Sequence, residues 1–377
     1  MKKSLLAVAV AAALPTLVQA QSSVTLFGRL DAALEYSNEN ANGSAAGKGE
    51  AGLRLADGRL TQSRVGIRGV EDLGGGLRAI FHIEHRLDIS TGDTAGGNIF
   101  LLPGGTNATT NNKFWNALAF VGLEGGWGRL MLGRNYTPIF YALQPNDYTG
   151  YTFYNNFAAF IGTGAGLANS VQGPIRLDNA ISYRSPTFGG LTLHAVYAPG
   201  ENLTNSATTG SGVVGTGDVW GIAAGWQLGG LYAMAGYHSF DQKAVAVVQP
   251  LGLESVMVAS VGYRTANWGA SIGYSVIDGI ATAGSPEIKT LFGSGFLNIG
   301  PGALHLSVAQ NDVSGFSGLR NDSGLQLGLA YNVPLSKRTS WYLAWGQNDF
   351  SPLQSTAATT YLLDSQTRVA LGIHHQF

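Results

Sequence analysis

The chain has 377 residues, of which only 12% are charged and 54 are glycine, with no cysteine and a formal net charge of −1. So even a balance of charge excludes the basic footprint of a general nucleic-acid binder. The missing thiols exclude a disulfide framework, thiol catalysis and a thiolate metal site. A charged fraction near half the usual one, with glycine well above average, points instead to strands that face lipid.

The first twenty residues carry Lys2 and Lys3, an apolar run from Leu5 to Leu14 and then Pro15-Thr16-Leu17-Val18-Gln19-Ala20. This is the pattern of a secretory signal peptide. Cleavage is expected before Gln21, which makes residues 1–20 a leader and 21–377 one outer-membrane barrel domain. No later apolar stretch approaches eighteen residues. Spanning helices are thereby excluded, and a closed barrel is the remaining way to cross a bilayer.

The first strand runs from Val24 to Tyr36. Val24, Leu26, Leu30, Ala32, Leu34 and Tyr36 share one face, while Arg29, Asp31 and Glu35 share the other. The next two strands, on either side of Asp72-Leu73-Gly74-Gly75-Gly76, place Arg64, Arg68, Arg78 and Arg86 toward the lumen, with Glu84 opposing them. His82 and Glu84 share a face and His85 does not, which leaves too few ligands for a closed zinc site.

Further short turns fall at Glu124-Gly125-Gly126-Trp127-Gly128, Ser185 to Gly190, Leu228-Gly229-Gly230, Thr265-Ala266-Asn267, Gly300-Pro301-Gly302 and Pro334 to Arg338. Each supplies the Gly, Pro or Asn that a hairpin needs. Long polar segments lie between them, near 37–59, 88–113, 135–175, 198–218, 239–253, 278–289, 311–322 and 348–365. Eight long loops alternating with short turns predict an all-β, transmembrane antiparallel β-barrel of about 16 strands, with short periplasmic turns and long extracellular loops.

Outward stripes recur at Leu191/Leu193/Ala195/Tyr197, Trp220/Ile222/Ala224/Trp226, Trp268/Ala270/Ile272/Tyr274, Leu325/Leu327/Leu329/Tyr331 and Trp341/Leu343/Trp345. Aromatics sit at their ends, as interfacial girdles require. The closing strand, Thr367 to Phe377, alternates strictly and ends on an aromatic residue. A soluble β-sandwich with the same pattern would bury Arg64, Arg68, Arg78 and Glu84 in a dry core, at heavy cost.

Eleven of the fifteen arginines precede residue 185. A wall of permanently charged guanidiniums favours anions in a narrow pore. Against it stand Asp31, Glu35 and Glu84, and the alternative reading is that these groups pair with the arginines to hold strands in register. Arg134 shares a face with Leu130 and Leu132, so it points inward only if a bulge turns it. The third long segment is rich in aromatics, among them Tyr136, Phe140, Tyr141 and Tyr148, and holds one charge, Asp147. The balance predicts a weak to moderate anion preference, with no cofactor and no reaction. No Gly-x-Ser-x-Gly elbow is present, which argues against a hydrolase.

Several segments together resemble the general porins of Gram-negative β-proteobacteria. They are Ser23 to Asp31, Ser63 to Leu77, Val121-Gly122-Leu123, Gly133 to Pro138, Asn179 to Pro186, Tyr331 to Thr339 and the terminal His375-Gln376-Phe377. The resemblance implies a homotrimer in outer-membrane lipid, a third loop folded into the barrel over about Tyr136 to Ile175, and an inward Arg134. It implies diffusion of inorganic ions and small hydrophilic solutes, with a pore constriction set by Arg29, Asp31, Arg64, Arg68, Arg78, Glu84, Arg86, Arg134 and Asp147. Asn135 stands where the family more often has Gln, and the third loop has fewer carboxylates than many members. A solute-specific channel and a surface-recognition barrel are the competing readings.

Overall fold

In the computed structural model, strands of alternating polarity pair antiparallel with their neighbours all the way round until the last meets the first. The structure describes residues 22–42, 51–94, 114–146, 148, 176–199, 218–240, 251–281, 287–315, 323–349 and 362–377. The segment read as a leader lies outside the described residues, as does Asp147.

The strands are β1 (Ser23–Asn42), β2 (Gly52–Asp57), β3 (Arg64–Gly74), β4 (Leu77–Arg86), β5 (Leu118–Gly125), β6 (Gly128–Tyr136), β7 (Arg176–Arg184), β8 (Leu191–Ala198) and β9 (Val219–Leu228). They continue as β10 (Leu231–Phe240), β11 (Leu251–Arg264), β12 (Trp268–Ala281), β13 (Glu287–Ile299), β14 (Gly302–Ser314), β15 (Ser323–Pro334), β16 (Thr339–Asp349) and β17 (Leu362–Gln376). Closure comes from β1 pairing with β17, with Arg29 opposite Gln376 and Tyr36 opposite Val369. On its other side β1 pairs with β3 along Ser23–Arg29 and with β2 along Ala32–Ser37. So β2 and β3 are two halves of one wall strand, and the barrel has sixteen staves.

Residues 52–57 fall inside the first expected loop and instead extend the wall. They do so by pairing with β1, beyond a short break in the stave. Gly58 has φ 68°, which breaks the ladder for a few residues. Asp31 fills the break: its Oδ2 accepts from the backbone N–H of Leu60 at 2.7 Å and of Thr61 at 2.6 Å. The Tyr342 hydroxyl donates to Oδ1 of the same carboxylate at 2.5 Å.

Period-two alternation accounts for the two faces. Val24 is 70% exposed, and Leu26, Leu30, Leu34, Ile222, Ile272 and Leu371 are likewise exposed. These residues form the outer, lipid-facing band, where an arginine at the bilayer midplane costs about 2–4 kcal/mol. Arg29, Asp31, Ala33, Glu35 and Ser37 alternate with that band and face inward. At the seam Phe377 and Gly28 exchange both backbone hydrogen bonds at 3.1 Å. The Phe377 ring lies over Gly28 so closely that a Cβ there would collide with it.

The short turns fall where the Gly-rich motifs predict, between β3 and β4, β5 and β6, and so on around one rim. Gly74, Gly75 and Gly76 all take positive φ. On the other rim several strands run further than alternation alone suggests, with β11 beginning at Leu251 and β17 at Leu362. Continued ladder bonding satisfies backbone groups beyond the lipid band, where side-chain polarity no longer has to alternate.

Candidate pore lining

Three arginines from three adjoining staves lie in register. Arg29 of β1 stands opposite Arg64 of β3, and Arg64 opposite Arg86 of β4. Directly opposed residues share a face, so these guanidiniums form one transverse row on the inner wall. Like charges placed side by side destabilise a sheet, and Glu84 offsets part of that repulsion, its Oε1 accepting from Arg64 Nη1 at 3.0 Å. His82 Nε2 lies 3.3 Å from the other oxygen of Glu84. Among the described residues neither Arg29 nor Arg86 forms an ion pair with a carboxylate.

A fourth arginine joins from a distant part of the chain. Arg176, at the start of β7, donates through Nη2 to the Tyr136 hydroxyl at 2.9 Å, and its guanidinium lies 4.4 Å from the centroid of that ring. Tyr136 in turn stacks on Phe140 at 3.8 Å and lies within electrostatic reach of Arg64 and Arg86. Sequence parity does not find this pair, because the two residues flank a long loop and meet only through the pairing of β6 with β7.

The remaining expected site residues divide. Arg68 lies nearer the short turns, its guanidinium 5.2 Å from the Phe27 ring centroid. Arg78 pairs with Glu124 at 2.7 Å at the barrel's end, and the same carboxylate takes Arg129 at 2.5 Å. Arg134 sits on the register shift between Gly133 and Asn135, and its Nη1 donates to Asp178 at 2.6 Å. Asp31 faces inward yet is 0% exposed, its oxygens taken up by the break in the second stave. Glu35 is equally buried and binds Arg54 at 2.7 Å and Arg59 at 2.6 Å. Pairing with arginine therefore holds for Glu35 and Glu84, and for Glu124 besides, but not for Asp31, whose partners are backbone N–H groups and Tyr342; the guanidiniums of the transverse row outnumber the one carboxylate among them.

The first limb of the third loop runs along the inner wall of the barrel, against β8 to β12. Thr137 caps the short helix α1 (Pro138–Leu143), with Pro138 in its first turn, where a missing N–H does no harm. Ile139, Ala142 and Leu143 pack with Val196, Val219, Val256, Val258 and Ile277 of the inner wall. A 3₁₀ turn, Gln144–Asn146, follows. The Asn146 side-chain amide donates to Ser260 Oγ at 2.7 Å, and the Asn146 backbone carbonyl accepts from the Ser294 hydroxyl. Tyr148 and Tyr232 share a hydroxyl hydrogen bond at 3.0 Å. This wall, β8 to β13, lies half-way round the ring from the arginine row. The expected loop continues to Ile175, and that continuation lies outside the described residues.

Comparison with known proteins agrees with this architecture. The pattern of the Gram-negative porin family matches residues 7–352. Outer membrane porin protein 32 of Delftia acidovorans is 32% identical over 401 aligned positions, covering 100% of each chain. Major outer membrane protein P.IB of Neisseria meningitidis serogroup B is 32% identical over 54% of this chain and 51% of its own. Among solved structures, the anion-selective porin from Comamonas acidovorans superposes with a TM-score of 0.74 at 26% identity, covering 95% of this chain and 100% of that one. OmpF of Salmonella typhi, at 17% identity and a TM-score of 0.59 over 94% of this chain and 97% of its own, shares the fold.

The family and the fold are those of channel proteins. A closed barrel with an apolar outer band and a charged interior belongs in the outer membrane, and a match spanning both chains end to end extends the family's function to the whole molecule. The chain therefore belongs to the Gram-negative porin family, as a general diffusion porin whose water-filled barrel passes ions and small hydrophilic solutes across the outer membrane.

Proposed function

We propose that this porin prefers anions, and that the preference is set by the transverse row Arg29–Arg64–Arg86 with Arg176 beside it. The observation that carries the reading is the cross-strand register of the row, four guanidiniums gathered around one carboxylate, Glu84. Arginine stays charged at any pH the outer membrane meets. A fixed positive field inside a low-dielectric wall raises the local anion concentration and repels cations. The aromatic limb of the third loop narrows the lumen from the far side and brings no described charge of its own, so the row dominates the constriction. Arg68, Arg78 and Arg134 act at a greater distance, or through partners, and modulate the field. The solved anion-selective relative from Comamonas acidovorans supports the sign of the preference.

We also propose that the molecule works as a homotrimer after removal of residues 1–20, and that it catalyses no reaction. The exposed apolar residues at the seam, Leu26, Leu30 and Phe377, are candidates for the subunit contact. The test is single-channel recording of the purified protein in a planar bilayer under a salt gradient. Openings in groups of three with an anion-signed reversal potential are the expected result. A cation-signed potential overturns the charge assignment, and single unitary openings overturn the trimer.

A further inference from the structure

A second feature of the interior lies away from the arginine row. Between the third loop and the short-turn rim is a cavity of about 580 Å³. Tyr141 and Pro145 of the loop form one side, and the inner faces of β7 to β11 form the other. Two exposed guanidiniums line it, Arg184 at the last position of β7 and Arg264 at the last position of β11. No carboxylate stands among its lining residues. Arg264 is held over the Tyr148 ring at 4.5 Å and donates through Nη2 to the Pro145 carbonyl at 3.4 Å. Flat surface adjoins these charges. The Tyr141 ring stacks on His194 at 4.2 Å with 18° between planes, and Met234 and Tyr232 continue the wall.

A simple inorganic anion uses the charge of such a site and gains nothing from the rings or the thioether. A ligand that uses both has a carboxylate for a guanidinium fork and a planar apolar body for the aromatic and Met234 surface. The volume lies within the range of small-molecule sites. We propose that this cavity binds small aromatic carboxylates of the benzoate kind, as a station separate from the arginine row. The assignment stands whether or not the row sets an anion preference, since Arg184 and Arg264 belong to other staves and another level of the barrel.

The test measures chloride current through the intact porin in a bilayer while benzoate, and separately acetate, is added at matched ionic strength. Benzoate is expected to reduce the current saturably and acetate to leave it near its starting value. Arg264→Gln and Arg184→Gln, each made alone, are expected to raise the half-blocking benzoate concentration about tenfold, as loss of a charge-assisted contact does. Arg29→Gln is expected to leave that concentration within about twofold, because Arg29 belongs to β1 and is absent from the cavity lining, which β7 to β11 supply. Equal effects of benzoate and acetate overturn the proposal. So does a block that survives both substitutions in folded, conducting protein, or one that follows Arg29 instead.

Discussion

Neutralising Arg29 isolates the charge argument, because Arg29 has no carboxylate partner among the described residues and its loss leaves the Arg64–Glu84 pair in place. Taking about 8 Å between the guanidinium and the path of a permeating ion, one unit charge contributes about 0.5 kcal/mol at the dielectric of water. The same charge attracts an anion and repels a cation, so the difference between the two is about 1 kcal/mol, or roughly fivefold in the permeability ratio. Arg29→Gln is therefore expected to lower the anion-to-cation ratio about fivefold in dilute salt. Glu84→Gln removes a negative charge from the same level and is expected to raise it by a similar factor. Both effects should shrink toward unity near 1 M salt, where the Debye length falls to about 3 Å. Reversal potentials under potassium chloride gradients at two mean concentrations provide the assay. Shifts of the same sign in the two variants, or an Arg29→Gln channel with an unchanged potential in dilute salt, would refute the reasoning.

Other perturbations probe the parts that hold this lining in place. Tyr342→Phe removes the hydroxyl that donates to buried Asp31. A hydrogen bond to a charged group contributes about 1.5–3 kcal/mol, so unfolding of the detergent-solubilised barrel by guanidinium should shift to lower denaturant, with selectivity unaltered. Asn146→Ala deletes the amide that ties the third loop to Ser260. Open-channel current noise and mean conductance are expected to rise, and a quiet channel of native conductance would show that the apolar contacts of α1 suffice. Deletion of Phe377 removes two backbone hydrogen bonds and the ring over Gly28. The remaining pairs of β1 with β17 should still close the barrel, with a lower temperature for the mobility change that heated barrels show on gels.

The sequence by itself determined the properties that depend on a residue's near neighbours. Alternation along Val24 to Tyr36 separates a lipid face from a lumen face because successive side chains of a strand point opposite ways, whatever the strand pairs with. Glycine-rich turns set the hairpins, and their spacing against the long loops yields sixteen staves, because turn geometry is a local demand. That Arg29 and Arg64 face inward is legible on the same grounds. Their meeting in one row with Arg86 is not, since it depends on the stagger between strands, which no single strand encodes. The extra stretch Gly52–Asp57 was hidden for a related reason: it becomes a strand by pairing with Ala32–Ser37 of β1, and Asp31 of that strand fills the break that follows it. Only the tertiary structure decided that Asp31 is consumed by that break, that Arg134 lies on a bulge facing Asp178, and that Arg176 comes to rest on Tyr136. Residues far apart in the chain share a field only once closure of the barrel has fixed the distances between them.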